Sequence, residues 1–96
     1  MSGMSRSSEG LSERRRRLLF RSWHRGIREM DLIMGRFADS CIDSMNEAEL
    51  DAYERLIEVP DPVLFGWIGD FDPVPPDFDT ELFRRLKTFH QDGPRG

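Results

Sequence analysis

Apolar residues recur along most of this chain at intervals of three and four positions, which is the spacing of amphipathic α-helices. A first helix is predicted over about 13–24, with Ser12 as its N-cap, and a second from 27 to 40 or 42. Gly26 lies between them, where a glycine can adopt the left-handed backbone conformation that often ends a helix. The predicted apolar faces are Leu19, Phe20 and Trp23 in the first helix, and Ile27, Met30, Met34, Phe37 and Cys41 in the second.

A third helix is predicted to start near residue 47. Two overlapping capping boxes are available, Ser44 with Glu47 and Asn46 with Glu49, and Pro60 is expected to stop the helix. Its core face is Leu50, Tyr53, Leu56 and Ile57.

Two shorter helices are predicted after Pro60. Asp61 as N-cap and Pro62 as first helical residue open a fourth helix that runs to about residue 68. The acidic, proline-rich stretch 70–77 is expected to be an extended, exposed loop. Asp79 or Thr80 then caps a fifth helix, whose inward face is Leu82, Phe83, Leu86 and Phe89.

The pattern predicts an all-α fold, a compact bundle of about five short helices, because neither strand alternation nor an internal repeat is found. Ninety-six residues suffice for one domain. We expect that domain over 12–90, a disordered tail over 1–11 and a frayed tail over 91–96. Gly35, inside the second helix, predicts close packing with a neighbouring helix, and the methionines are expected in the core.

Composition narrows the function classes. The chain is 38% hydrophobic and 33% charged, which is typical of a soluble globular domain, and no apolar run is long enough to span a bilayer. A single cysteine excludes an internal disulfide and favours a reducing compartment. Residues 1–40 carry nine arginines against five acids (+4), whereas residues 41–96 carry five bases against thirteen acids (−8). Such a bipolar molecule suits an oriented encounter with a charged protein surface.

The residues give little support to an enzyme. His24 and His90 lie far apart without metal-ligand spacing, and Cys41 continues an apolar stripe, which favours an inert thiol. No dinucleotide or phosphate-binding glycine motif is present, and Gly66 and Gly69 match the GxxG of KH domains without the strands of that fold. A small hydrolase would need a cleft with perturbed titrating groups. We therefore expect a binding module and no enzyme.

Two clusters of charge are candidates for binding. Arg25 and Glu29 flank Gly26, and they are interpreted either as a solvated pair worth about 0.3 kcal/mol or as part of a contact surface. Arg25 is placed in the last turn of the first helix and Glu29 in the first turn of the second, where each suits the helix dipole. The run from Arg14 to Arg17 is either a solvated face or a grip for phosphates or an acidic partner.

The segment RGIREMDLIMGRFAD, which starts at Arg25, and the later segment LDAYERLIEVPDPVLFGWI together resemble the SdhE family of FAD assembly factors. The resemblance covers about residues 14 to 70 well. It implies docking on the flavoprotein subunit of succinate dehydrogenase, with that of fumarate reductase as a further candidate, and covalent attachment of FAD to a histidine of the partner. It also implies that FAD is handled through the partner and is not held stably by this chain.

The RGxxE match assigns the partner-binding site. It places Arg25, Gly26 and Glu29 at the contact, with Arg28, Asp31 and Arg36 bordering it; Phe37, Trp67 and the turn from Pro60 to Pro62 are assigned to folding.

On this reading we expect a monomer that binds no nucleic acid and does not insert directly into a membrane. It works in the cytoplasm of a bacterium or, if eukaryotic, in the mitochondrial matrix. The alternative is an antitoxin-like or regulatory helical module that binds an acidic protein or nucleic acid through its N-terminal arginine run.

Overall fold

The structure is a computed structural model that describes residues 10–92. Within that range the chain forms five α-helices and two single turns of 3-10 helix, and no β-strand. The all-α prediction is confirmed. The helices are α1 (Glu13–Trp23), α2 (Arg28–Cys41), α3 (Glu47–Ile57), α4 (Asp61–Ile68) and α5 (Glu81–Asp92), and the 3-10 turns are Ile42–Ser44 and Pro76–Phe78.

The helices bury one hydrophobic core to which all five contribute. α1 lies chiefly against α2 and also touches α3, while α5 contacts α2, α3 and α4. The radius of gyration is 12.5 Å, close to the value of about 12.5 Å expected for a compact domain of this length. The most deeply buried side chains include Leu19, Met34, Phe37, Ala38, Ile42, Leu50, Tyr53, Leu56, Leu64 and Leu86.

Side-chain caps set three helix starts. The Ser12 hydroxyl accepts a hydrogen bond from the N–H of Arg15 at 3.2 Å, as predicted for α1. The structure selects Asn46 with Glu49 as the capping box of α3, with both reciprocal bonds formed. At α5, the Thr80 hydroxyl accepts from the N–H of Phe83 at 3.1 Å.

The α3–α4 connection differs from the prediction. α3 ends at Ile57, before Pro60, and Pro60 rather than Asp61 is the N-cap of α4. Pro62 is therefore the second helical residue instead of the first. The prediction failed because it used the Asp61 carboxylate as a cap, whereas that carboxylate binds the guanidinium of Arg25.

Two predicted core residues lie at the surface. Phe20 is 57% exposed and Ile27 is 49% exposed. The buried face of α1 contains Leu18 instead of Phe20, and Ile27 precedes the first turn of α2 as its N-cap. Phe20 stacks on the ring of His24, the C-cap of α1, with ring centroids 3.9 Å apart.

Gly35 of α2 packs directly against Trp23 of α1, which confirms the predicted tight packing. A Cβ built on Gly35 would lie 2.3 Å from the indole ring of Trp23. The same indole donates its N–H to Asp39 of α2 at 3.2 Å. In the core beside them, the hydroxyl groups of Ser22 and Tyr53 lie 2.6 Å apart and share a hydrogen bond. These contacts fix the angle at which the chain turns between α1 and α2.

The C-terminal part is more ordered than predicted. Residues 76–78 of the acidic loop form a 3-10 turn, which begins at a proline because that position needs no N–H donor. α5 continues to Asp92, two residues beyond the predicted domain end. The predicted tails lie largely outside the described residues, since the structure describes nothing before residue 10 or after residue 92.

Candidate functional site

Arg25 is a buried cation at the α1–α2 junction, and its side chain is only 7% exposed. The guanidinium donates to the Asp61 carboxylate at 2.5 Å and to the carbonyl oxygens of Ile57 at 2.9 Å and Val59 at 2.6 Å. Ile57 is the last residue of α3, and Val59 lies two residues beyond it. Asp61 is the first residue of α4. Arg25 therefore ties the α1–α2 junction to the α3–α4 connection.

This geometry corrects the interpretation of Arg25 as half of a solvated surface pair. α1 ends at Trp23, so Arg25 lies beyond its last turn, where Arg21 is the cation instead. Arg25 pairs with Asp61, 36 positions away in sequence, and makes no ion pair with Glu29. Removing one partner of such a buried pair leaves an uncompensated charge, which typically costs about 3–5 kcal/mol.

The backbone after Arg25 is held by Asp31. Oδ1 of Asp31 accepts hydrogen bonds from the backbone N–H of Arg25 at 2.6 Å and of Gly26 at 3.3 Å. Gly26 has a φ of +105°, which confirms the predicted need for a glycine. It is exposed, and a Cβ built on it would meet no atom within 4 Å. The junction thus presents bare backbone to whatever approaches it.

Three charged side chains of α2 remain available at the surface. Arg28, Glu29 and Arg36 are exposed and make no ion pair or side-chain hydrogen bond with any residue in 10–92. Glu29 lies in the first turn of α2, as predicted. We call Gly26, Arg28, Glu29 and Arg36 the junction face.

Two shallow grooves adjoin the junction face, and Glu29 and Phe65 line both. The larger has a volume of about 270 Å³ and a mainly apolar floor, with Arg36 and His90 among the polar groups that line it. The smaller, about 150 Å³, is bounded by Ile27 and Pro62. The arrangement offers an approaching surface both an apolar floor and unpaired charges. The complete lining of the larger groove is Glu29, Leu32, Ile33, Arg36, Phe65, Phe89 and His90.

All six predicted site residues lie at the α1–α2 junction or on α2, but sequence reasoning missed the groups around them. Asp61 is the ion partner of Arg25, and no sequence signal connects positions so far apart. Phe65, which is half-buried, lines both grooves. Phe71 is 73% exposed; an aromatic residue between two aspartates of a loop was the available signal.

The N-terminal arginine run is largely engaged within the molecule. Arg14 reaches three carboxylates of α3, those of Glu47, Asp51 and Glu54, at 3.2, 2.7 and 2.7 Å. Arg15 donates to the carbonyl oxygens of Ile42 at 3.0 Å and Met45 at 2.5 Å. The solvated-face interpretation is therefore wrong for these two arginines, which fasten α1 to α3 and its preceding turn.

Arg16 and Arg17 are exposed, and Arg17 lies 3.6 Å from Glu13 in the same helix. Only the second half of the arginine run is thus presented to solvent.

The remaining candidate chemistry is sparse. Burial raises the pKa of the Cys41 thiol, which opposes thiolate formation. Within residues 10–92, no group of histidine, cysteine, aspartate or glutamate side chains is arranged to hold a metal ion. None of the helices in this range combines the length and apolar character that a membrane span needs.

A comparison with known protein families shows to which family the chain belongs. Residues 16–90 match the family described as "Flavinator of succinate dehydrogenase". The chain belongs to this flavinator family. The match covers all of α2 to α4 and most of α1 and α5, so the buried core and the junction face fall inside it. The resemblance to FAD assembly factors found in the sequence is confirmed.

Relatives within the flavinator family come from bacteria and eukaryotes. "FAD assembly factor SdhE" of Acetobacter pasteurianus is 39% identical over 80 residues, 83% of this chain and 73% of the relative. "Succinate dehydrogenase assembly factor 2, mitochondrial" of Dictyostelium discoideum is 37% identical over 82 residues, 85% of this chain and 58% of the relative. "Succinate dehydrogenase assembly factor 2-B, mitochondrial" of Drosophila melanogaster is 38% identical over 84 residues, 85% and 54% respectively. This chain therefore spans little more than half of the two eukaryotic relatives.

Proposed function

We propose that this chain docks on the flavoprotein subunit of succinate dehydrogenase through the junction face and thereby promotes covalent attachment of FAD to that subunit. Membership of the flavinator family supports the reaction and the partner. The observation that supports the surface is the set of three exposed charges on α2 without ion partners in the described chain, beside an apolar groove.

The exposed charges of the junction face add little to the stability of the fold but can bind a protein partner. An exposed, unpaired glutamate contributes little to stability in water, but it gains strength when a partner excludes solvent and supplies a donor. Glu29 can accept from a cationic or N–H donor of the flavoprotein, while Arg28 and Arg36 can donate to its carboxylates. The open space over Gly26 allows the partner's backbone to approach within contact distance.

Arg25 and Asp31 act in this proposal as positioning residues. Their charges are engaged inside the molecule, with Asp61 and with the backbone of the junction. They hold Gly26 in its left-handed conformation and set the start of α2, on which Glu29 and Arg28 are displayed. In the RGxxE pattern, Arg25 thus stabilises the junction, whereas Gly26 and Glu29 contact the partner.

In this proposal the chain makes no bond itself. The flavoprotein supplies the histidine that becomes attached to FAD, and it holds the flavin, so that no FAD stays bound to this chain alone. Docking favours the conformation of the flavoprotein in which flavin and histidine are aligned, because a ligand that binds one conformation more tightly shifts the population toward it.

The flavoprotein of fumarate reductase is a second partner in the proposal, since it would need the same docking surface. In this proposal the chain acts as a monomer, binds no nucleic acid and does not insert directly into a membrane. It does so where the flavoprotein acquires its cofactor, in bacterial cytoplasm or the mitochondrial matrix.

The experiment is reconstitution of covalent flavinylation. Purified flavoprotein subunit lacking flavin is incubated with FAD, with or without this protein, and covalent flavin is read as in-gel fluorescence after denaturation. Fluorescence should rise with the protein present and should fall to the protein-free level with Gly26→Arg, provided that variant shows a cooperative unfolding transition. The proposal fails if the protein has no effect on covalent flavin.

A further inference from the structure

Phe71 is the most exposed of the large apolar side chains in residues 10–92. Its exposure is 73%, against 57% for Phe20, 49% for Ile27 and 42% for Val63. A single exposed apolar residue is common on protein surfaces, so the meaning of Phe71 depends on what holds it and on what it adjoins.

The structure holds Phe71 in place. Its backbone N–H donates to the carbonyl oxygen of Gly66 at 2.9 Å, and the N–H of Asp72 donates to the same oxygen at 3.1 Å. Asp70 adopts a φ of 65°, the single left-handed non-glycine residue in the described chain, and its carboxylate pairs with Lys87 of α5. The loop is therefore fastened to α4 and α5 on both sides of the ring.

Phe71 adjoins the junction face through one intermediate residue. Its ring stacks on that of Phe65, with centroids 6.2 Å apart and planes inclined by 24°. Phe65 lines both grooves that Glu29 lines. An apolar path therefore runs from Phe71 over Phe65 to the unpaired carboxylate of Glu29.

We propose that Phe71 is an aromatic anchor that inserts into an apolar recess of the flavoprotein subunit, beside the place where the junction face docks. This inference rests on the proposed function and extends its contact surface to the loop after α4. Residues 69–80 contain four aspartates and no basic residue, so the rim of that recess carries positive charge. Because hydrogen bonds already hold the backbone around Phe71, binding orders little of the loop.

The test is the affinity of the purified flavoprotein subunit for three forms of this protein, measured by titration calorimetry. The forms are wild type, Phe71→Ala and Phe20→Ala. Phe20 is the matched control, since it is also exposed and stacked on one aromatic ring, but that ring, His24, lines neither groove beside Glu29, whereas Phe65 lines both. Thermal unfolding of each form checks that the fold is kept.

Phe71→Ala should weaken binding at least about tenfold, as aromatic anchors at interface centres do, while Phe20→Ala stays within about twofold of wild type. Equal affinities of Phe71→Ala and wild type would overturn the anchor and leave the proposed function standing. Equal losses in both variants would also overturn it, because exposed aromatic surface in general would then explain the effect. Absence of binding by wild type would overturn the proposed function together with the anchor.

Discussion

Arg25 and Glu29 lie in the same five-residue motif, yet the fold treats them in opposite ways. Arg25 is buried with three acceptors around its guanidinium, whereas Glu29 is exposed and makes no ion pair within residues 10–92. A buried charge must be paired because its desolvation is expensive. An exposed charge stays hydrated and needs no partner within the protein, so it is available to bind another molecule.

Within one short motif, therefore, some residues stabilise the fold and others are exposed for contact with another molecule. Arg25 with Asp61 fixes where the α1–α2 junction lies relative to α4, and Asp31 fixes its backbone. Glu29 adds nothing to these bonds, but its position depends on them. Stability and flavinylation should therefore respond differently along the motif, and four substitutions test that separation.

Arg25→Ala should give the largest loss of stability. It removes the partner of Asp61 and the donor to two backbone carbonyl groups, so the free energy of unfolding should fall by about 3–5 kcal/mol. Urea denaturation followed by circular dichroism measures it. The matched control is Arg21→Ala, whose exposed pair with Glu58 should contribute about 1 kcal/mol or less. Equal losses in the two variants would contradict a structural role for the buried pair.

Asp31→Ala should have the next largest effect. It leaves the N–H groups of Arg25 and Gly26 without their charged acceptor, which should lower stability by about 2 kcal/mol. Asp31→Asn keeps an oxygen acceptor and should recover at least half of that loss. If Asn and Ala are equally destabilising in the same denaturation experiment, the hydrogen bonds to the junction do not explain the effect.

Gly26→Ala should lower stability by about 1 kcal/mol, because a side chain strains a backbone with a φ of +105° although it meets no neighbouring atom. Gly10→Ala is the matched control, since Gly10 also has a positive φ and open space around it. Gly10 lies near the end of the chain, where strain can relax, so Gly10→Ala should lose less stability than Gly26→Ala and should leave flavinylation unchanged. A loss of flavinylation in both would remove the special role of the junction.

Glu29→Gln should leave stability within about 0.5 kcal/mol of wild type, since the side chain is exposed and unpaired. Its covalent flavinylation should nevertheless fall toward the protein-free level. Glu13→Gln removes a comparable exposed acid from the first turn of α1 and should change neither quantity. A fall of more than about 1 kcal/mol in the free energy of unfolding of Glu29→Gln would show that Glu29, like Arg25, stabilises the fold.

Local sequence signals predicted most of the fold. The Ser12 cap, the capping box at Asn46 and the need for glycine at positions 26 and 35 depend on neighbours within a few residues or on helix periodicity. Periodicity failed for Phe20, where a shift of one position along α1 moves a side chain by about 100° around the helix.

The position of the α1–α2 junction could be predicted from the sequence, but which of its charges are buried and which are exposed could not. Whether Arg25 points outward or inward is decided by Asp61, which is 36 positions away and reaches it only once α3 and α4 have packed. The same holds for Phe71, whose contact with Phe65 depends on a turn at Asp70 that composition did not indicate.

The most direct test is covalent flavin on the succinate dehydrogenase flavoprotein supplied with Glu29→Ala protein whose unfolding curve overlays that of wild type. In-gel flavin fluorescence should then equal the level seen without the protein. Fluorescence equal to that with wild type would contradict the claim that the exposed charge of this motif works on the partner.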